Sequence, residues 1–220
     1  MPPAEGDGSL VDYYRRRAAH YEAIYGRPER QEDLAALRGI FSGAFEDAAV
    51  LEVAAGTGYW TAVIAQSARS VLATDLAEEP LGIAQAKSYP RGNVAFQLAD
   101  AYSLPESLGR FGAAFAGFWW SHVPRQRIDE FLASLHARLD PGARVVMLDN
   151  VYVEGSSTPM AGADREGNTY QMRRLHDGSR VRVLKNFTTE EELRERLAPH
   201  AARFSYRALR YYWVVEYRLK

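Results

Sequence analysis

The stretch VLEVAAGTGYWT, from Val50 to Thr61, decides the fold of this chain. An apolar run leads into the small residues from Ala54 to Gly58, and the following YWTAVIAQSA has the composition of a helix, so the stretch predicts a strand, a tight turn and a helix start. Glycine lets a ligand approach the backbone closely, and the first turn of a helix carries unpaired N–H groups. The pattern therefore predicts a loop that cradles a ligand.

The residues after the loop restrict which ligand this can be. A Walker phosphate loop has Lys and then Ser or Thr after its last glycine, where this chain has Tyr59 and Trp60. The dinucleotide pattern G-x-G-x-x-G has a third glycine where Thr61 stands. The bulk at these three positions disfavours close contact with a pyrophosphate.

Three acidic residues accompany the first three predicted strands. Glu52 lies within the first strand, Asp75 ends the second in VLATDLA, and Asp100 ends the third in FQLADAYSLP. Ligands of open parallel sheets bind outside the carboxyl ends of the strands, so we expect these acids to line one cleft that takes a neutral or cationic ligand. The alternatives are that Asp75 and Asp100 cap helices and that Glu52 anchors the amides of the loop.

Short apolar segments alternate with stretches long enough for helices, which predicts an α/β fold with a Rossmann-like, doubly wound and mostly parallel sheet. We expect its strands to be apolar throughout because both faces of such a sheet are buried. The segments are AVLEVA, SVLATDL, NVAFQLAD, GAAFAGFWW and ARVVMLDN. PRQRIDEFLASLHARLDPG predicts a helix with an apolar stripe, starting near Pro124 and stopped by Pro141 and Gly142.

The last third of the chain changes character. Residues 151–187 are rich in Gly, Ser and Pro and predict an excursion over the surface, which we expect to close over the cleft. TTEEELRERL predicts a helix with a Thr N-cap, and two strands, about Phe204–Leu209 and Tyr211–Leu219, predict an antiparallel hairpin. We expect a single domain, 1–220, made of a helical lid (1–40), a core (41–150), the excursion (151–187) and the final helix and hairpin (188–220).

With these motifs the chain resembles the class I S-adenosylmethionine-dependent methyltransferases. LEVAAGTGYWT resembles their glycine-rich first motif, ATDLAEEPL their acidic second-strand motif, and LADAYSLP their adenine-contacting third-strand motif. The resemblance covers roughly residues 49–150 and departs from the family pattern at Ala54 and Tyr59, two positions that are often glycine.

The resemblance implies S-adenosylmethionine as cofactor. It implies that Gly56 and Gly58 lie under the methionine part, that Asp75 binds the ribose, and that Asp100, Ala101 and Tyr102 border the adenine. The remaining residues expected at the cofactor are Ala54, Thr57, Thr61, Leu76 and Phe118, with Tyr14 and Arg17 from the amino-terminal segment.

Two segments are candidates for the wall of an acceptor site. In GFWWSHVP, Trp119 and Trp120 are suited to stacking a flat or cationic substrate, and His122 to relaying a proton as a general base; alternatively the tryptophans are core and the histidine caps the next helix. In DYYRRRAAHYEAIY, Tyr13 and Tyr21 are expected to close over the substrate as part of a lid. The simpler alternative is a helix packed on the domain.

A metal site is not expected. MLDNV resembles the Asp-Asn pair of metal-dependent catechol-type O-methyltransferases, but Trp120 and Ser121 stand where those enzymes need a further acid. One oxygen ligand of three is therefore missing, and Mg²⁺ needs several.

Composition narrows the function further. The 220 residues carry a formal net charge of −1 and no cysteine, which disfavours a nucleic-acid partner and excludes thiolate chemistry. No leader or membrane segment is recognisable, so we expect a cytoplasmic protein with no membrane partner, either monomer or homodimer. The expected function is methyl transfer to a nitrogen or oxygen of a small, partly aromatic metabolite; the alternatives are an NAD(P)-dependent oxidoreductase and a non-catalytic S-adenosylmethionine-binding module.

Overall fold

A computed structural model describes residues 7–220, and the side chains from residue 10 onward. Its centre is a sheet of seven strands, which are β1 Ala49–Val53, β2 Ser70–Asp75, β3 Val94–Leu98, β4 Phe111–Gly117, β5 Leu139–Asn150, β9 Ala201–Ala208 and β10 Tyr212–Leu219. Their order is β3-β2-β1-β4-β5-β10-β9; β1 to β5 are parallel, and β10 runs antiparallel to both neighbours. The predicted Rossmann-like sheet with its antiparallel hairpin is confirmed.

Helices cover both faces of this sheet. Side chains alternate across a strand, so Val50 joins the cluster under α2 and α3 while Leu51 joins the cluster under α5 and α6. The helices are α1 Asp7–Arg17, α2 Gln31–Ala44, α3 Tyr59–Ile64, α4 Glu78–Gln85, α5 Ile128–His136 and α6 Glu190–Leu197. Helix α5 is shorter than predicted, because a 3₁₀ turn, Arg125–Arg127, precedes it and Pro141 and Gly142 lie within β5.

The edge strand β3 departs from the expectation that strands are buried on both faces. Its residues are half-buried or exposed, and Leu98 is 49% exposed. An edge strand has a neighbour on one side alone, and helix coverage ends there, so the expectation was wrong for β3.

Residues 151–187 are more regular than the predicted excursion. They contain a three-stranded antiparallel sheet of β6 Met160–Ala163, β7 Thr169–Arg174 and β8 Arg180–Leu184, on which α1 packs. The β7–β8 turn contains Asp177 and Gly178, with φ of +84° at the glycine. An Asp-Gly pair between two short strands is a hairpin signal, but the Gly, Ser and Pro content of the segment concealed these strands in the sequence.

The predicted final helix and antiparallel hairpin are confirmed, although β9 begins at Ala201, three residues before the predicted start at Phe204. Thr189 caps α6 by accepting the Glu192 N–H, and the Glu192 carboxylate accepts the Thr189 N–H in return. No helix of the described residues is long and apolar enough to cross a membrane.

Candidate active site

The glycine loop uses its two glycines differently. Gly56, with φ of +58°, lines a cleft at the carboxyl ends of the strands, and a Cβ added there meets no atom within 4 Å. Gly58, with φ of +77°, faces helix α4, where an added Cβ lies 2.8 Å from the Cβ of Ala84 and 2.7 Å from the Tyr89 hydroxyl. Gly56 therefore leaves room for a ligand, whereas Gly58 allows close packing and does not line the cleft.

The cleft collects most of the residues predicted to contact the cofactor. Asp75 and Asp100 both line it, as the parallel strands require. The other predicted cofactor residues in its wall are Tyr14, Ala54, Gly56, Thr57, Leu76, Ala101, Tyr102 and Phe118. The described wall also includes Tyr21, Trp119 and His122.

Backbone N–H groups hold the two carboxylates that line the cleft. Asp75 accepts the N–H of Gly56 on Oδ2 and the N–H of Ala77 on Oδ1, each at 2.8 Å. It thus joins the glycine loop to the start of α4. Asp100 accepts the Tyr102 N–H at 2.9 Å. Each carboxylate oxygen can accept a further hydrogen bond from a ligand. Contact of Asp75 with the ribose and of Asp100 with the adenine stays a prediction.

Glu52 lies behind the loop and does not line the cleft. Its side chain is 2% exposed, and its Oε2 has no hydrogen-bond partner among the described residues. Burial raises the pKa of this carboxyl to about 8, although the hydroxyl of Thr61 lowers it in part. Thr61 is also fully buried. The structure thus places Glu52 and Thr61 beneath the loop. Glu52 lines a small cavity that shares Gly56, Thr57 and Phe118 with the cleft, so its contact with the cofactor stays a prediction.

Glu52 predicts a pH dependence of the stability of the ligand-free protein. From the unfolded pKa of 4.5 up to about 8, unfolding releases the proton that the folded state keeps, so stability falls as pH rises. Glu52→Gln keeps a neutral side chain and removes this slope. From about pH 6 to pH 7.5, we expect the free energy of unfolding of the parent to fall by about 1–2 kcal/mol more than that of the variant. Urea unfolding at both pH values measures it, and parallel pH profiles would contradict it.

A second cavity, of about 630 Å³, adjoins the cleft beneath α1 and beside the small sheet. Two residues predicted for the site, Tyr13 and Arg17, line this cavity and not the cleft. The Arg17 guanidinium donates to the Tyr13 hydroxyl and lies 5.6 Å from the ring centre of Tyr21. The expected pairing of Arg17 with the cofactor is therefore not supported by its position, because two phenol rings hold it on the other side of the wall.

Four side chains form a wall common to the cleft and the second cavity: Tyr14, Tyr21, Phe118 and His122. The Tyr14 hydroxyl lies 2.7 Å from His122 Nε2, and His122 Nδ1 lies 2.7 Å from the Leu184 carbonyl oxygen. The carbonyl accepts only, so Nδ1 carries the proton and Nε2 accepts from Tyr14. Burial, with the charges of Lys185 and Arg173, lowers the pKa of His122 well below 6.5. The imidazole is therefore neutral and held on both sides.

The two tryptophans after β4 face different ways. Trp119 lines the cleft and packs against Tyr102, with ring centres 5.7 Å apart. Trp120 is 4% exposed, belongs to the core cluster, and lines neither the cleft nor the second cavity. The predicted substrate contact of Trp120 was wrong, because the 3₁₀ turn Trp120–His122 turns its ring inward.

Lys185 is a residue of the site that the sequence analysis did not predict. Its ammonium lies between the side-chain oxygens of Asp149 and Asn150. Lys185 Nζ donates to Asp149 Oδ1 at 3.0 Å, Asn150 Oδ1 at 2.9 Å and Ser121 Oγ at 2.5 Å. Both ionic side chains are buried, at 3% and 0% exposure. A protein cation thus fills the place between these oxygens. Its partners lie 35 to 64 residues away in the chain, so no local pattern could indicate the contact.

Glu22 is a second contact that sequence patterns missed. Its carboxylate accepts from the Thr57 hydroxyl at 2.7 Å and from Lys87 Nζ. The amino-terminal segment is thereby joined to the glycine loop next to the cleft.

Comparison with known proteins agrees with this geometry. A family model described as a methyltransferase domain matches residues 50–142. A demethylmenaquinone methyltransferase of Clavibacter sepedonicus is 31% identical over 148 residues, which are 66% of this chain and 56% of that protein. The match spans little more than half of that relative.

Solved structures match over nearly the whole chain. The DhpI-SAM-HEP complex is 28% identical with a TM-score of 0.79, covering 97% of this chain and 98% of that one. The DhpI-SAH complex is 28% identical with a TM-score of 0.75, covering 96% of each chain. The magnesium protoporphyrin IX methyltransferase of Synechocystis PCC 6803, with bound SAM, is 18% identical with a TM-score of 0.63 over 100% of both chains and shows the fold alone.

The sheet order, the cleft at the glycine loop and these matches agree with one another. The chain contains a methyltransferase domain and has the fold of the class I S-adenosylmethionine-dependent methyltransferases, and the two DhpI structures that it resembles hold S-adenosylmethionine or S-adenosylhomocysteine.

Proposed function

We propose that this methyltransferase binds S-adenosylmethionine in the cleft and transfers its methyl group to an oxygen or nitrogen of a small molecule bound in the second cavity. The observation that carries the proposal is the wall that the two cavities share, formed by Tyr14, Tyr21, Phe118 and His122. A sulfonium methyl placed where these four side chains border both cavities faces the acceptor without a side chain between them. Holding donor and acceptor in line contributes about 7–11 kcal/mol to such reactions.

The proposed orientation of the cofactor follows from the acids and the loop. Asp75 accepts the ribose hydroxyls at the end of β2, while Asp100, Ala101 and Tyr102 border the adenine. The methionine part runs over Gly56, where no side chain blocks the backbone. The described lining of the cleft carries no Lys or Arg, which favours a cationic sulfonium over a polyphosphate.

The acceptor is proposed to be small because the second cavity, which α1 and the small sheet border, has a volume of about 630 Å³, in the range of small-molecule sites. Tyr13 and Tyr21 line it and support contact with a partly aromatic acceptor. Trp119 borders the donor's side only, and Trp120 lies in the core. Aromatic stacking therefore rests on tyrosines from the amino-terminal segment, the proposed lid.

We assign His122 a positioning role. Its Nε2 accepts the hydroxyl proton of Tyr14, so direct proton removal from the acceptor requires this hydrogen bond to open. With Nδ1 held by Leu184, the imidazole fixes the Tyr14 phenol at the place where the cleft and the second cavity meet. The phenol also stays protonated, because burial raises the pKa of Tyr14 well above 10.

A methyl-transfer assay tests the proposal. Purified protein with S-adenosylmethionine labelled in its methyl group is incubated with a cell extract separated into small molecules and macromolecules. We expect label in the small-molecule fraction, with none when the protein is heat-denatured. Label confined to protein or nucleic acid would contradict the small acceptor.

Cofactor binding without transfer to any fraction would instead indicate a non-catalytic binding module. A fluorescence titration with NADH is the counter-test for the oxidoreductase alternative, and we expect no binding.

A further inference from the structure

The lining of the second cavity has an unbalanced charge. Its described residues include seven cationic side chains and no Asp or Glu. The seven are Arg16, Arg17, Arg27, Arg30, Arg173, Arg174 and Lys185. The whole chain has a net charge of −1, so this concentration of positive charge is local.

Some of these cations have carboxylate partners and others do not. The paired ones are Arg16 with Asp177 at 2.6 Å, Arg27 with Glu29 at 3.9 Å, and Lys185 with Asp149 at 3.0 Å. Among the described side chains, residues 10–220, no carboxylate oxygen lies within 4.0 Å of the other four, Arg17, Arg30, Arg173 and Arg174. Four guanidinium groups around one cavity are thus not neutralised by ion pairing.

Arg173 is the clearest case of a guanidinium group without a carboxylate partner. Its Nε and Nη2 donate to Gln171 Oε1 at 3.3 and 2.9 Å, and its Nη1 lies 3.4 Å from the Tyr13 hydroxyl oxygen. These acceptors are neutral, and the guanidinium is partly buried between β7 and α1. A charge taken out of water without a counter-charge is costly, so this position favours a bound anion.

Arg30 provides an independent observation from another part of the chain. Its guanidinium lies over the rings of Tyr211 and Tyr212, at 4.9 and 5.5 Å from their centres. It reaches Ser156 Oγ at 3.2 Å, while its buried Nε has no hydrogen-bond partner among the described residues. The aromatic faces hold the guanidinium in place and leave donor capacity for a ligand.

We propose that the second cavity binds its methyl acceptor through an anionic group, a carboxylate or a tetrahedral oxyanion, that Arg173, Arg30 and Arg17 hold. The inference rests on the proposed function, because it takes the second cavity as the place of the acceptor. The planar donor fork of arginine matches both kinds of oxyanion. A neutral aromatic acceptor would use the tyrosines and leave these guanidinium groups unneutralised.

Titration of simple anions tests the inference. Isothermal titration of the full chain, saturated with S-adenosylhomocysteine, is carried out with inorganic phosphate, methylphosphonate and acetate at constant ionic strength. We expect binding of the preferred anion to weaken about tenfold or more in Arg173→Met. Arg173→Lys keeps the charge without the fork and should recover part of the loss. The stronger of the phosphate and acetate responses identifies the oxyanion.

The matched control is Arg180→Met, which removes the same charge from the neighbouring strand β8 at a residue that lines neither cavity. We expect it to leave anion affinity unchanged. Equal affinities in Arg173→Met and Arg180→Met, or no anion binding by the parent, would overturn the inference while leaving methyl transfer intact. Failure of S-adenosylhomocysteine to bind, with Arg173-dependent anion binding retained, would overturn the proposed function and leave the anion site.

Discussion

Asp75→Ala is expected to weaken the binding of S-adenosylhomocysteine about 100-fold or more. In the parent, the carboxylate holds the N–H groups of Gly56 and Ala77 at 2.8 Å and, in the proposed orientation, accepts the ribose hydroxyls. Each hydrogen bond to a charged group contributes about 1.5–3 kcal/mol, so losing the ribose pair alone accounts for at least this effect. Isothermal titration measures the dissociation constant.

The control for this variant is Asp140→Ala, which removes an exposed carboxylate that pairs with Arg110 and does not line the cleft. We expect it to bind S-adenosylhomocysteine as the parent does. A thermal unfolding curve shows whether Asp75→Ala is folded, and Asp75→Asn provides a variant of nearly the same shape. An unchanged dissociation constant in a folded Asp75→Ala would remove Asp75 from the cofactor site.

Lys185→Met is expected to lower the free energy of unfolding by about 3–5 kcal/mol. The substitution removes the ammonium that is bonded to Asp149, Asn150 and Ser121 and leaves the Asp149 carboxylate buried without a counter-charge. Removing one partner of a buried ion pair costs much more than the pair itself contributes, because the other ion cannot return to water. Urea unfolding of parent and variant measures the difference.

The double variant Asp149→Asn with Lys185→Met distinguishes this cause from a loss of packing. It removes both charges, so we expect it to recover most of the lost stability. Arg15→Met, which breaks an exposed ion pair with Glu79, should cost less than about 1 kcal/mol. If the double variant were as unstable as Lys185→Met, the uncompensated charge would not be the cause.

Local sequence patterns were sufficient to predict the architecture and the two acidic residues, Asp75 and Asp100, that line the cleft. Asp75 and Asp100 each end a strand, and parallel strands bring their carboxyl ends to the same edge, so their convergence followed from position in the sequence. Glu52 differs because it lies inside β1, where alternation places its side chain beneath the loop on the face of Val50 and away from that of Leu51. Period-two alternation applied to Glu52 would have placed it correctly.

Contacts between residues that are far apart in the chain could not be predicted from local sequence patterns. His122 is held by Tyr14, 108 residues away, and by Leu184, 62 residues away, and neither pairing leaves a periodic signal. The cationic second cavity was hidden for the same reason, since Arg30 and Arg173 are 143 residues apart in the chain. Charge counts over the sequence average to nearly zero and conceal the local excess.

The most direct test of the central claim is a crystal structure of the protein with S-adenosylhomocysteine. The account predicts the adenosine between Asp75 and Asp100, and the homocysteine sulfur beside Tyr14, Phe118 and His122, where the cleft and the second cavity meet. Density for the ligand outside the cleft, or a sulfur directed at bulk solvent and away from the second cavity, would contradict it.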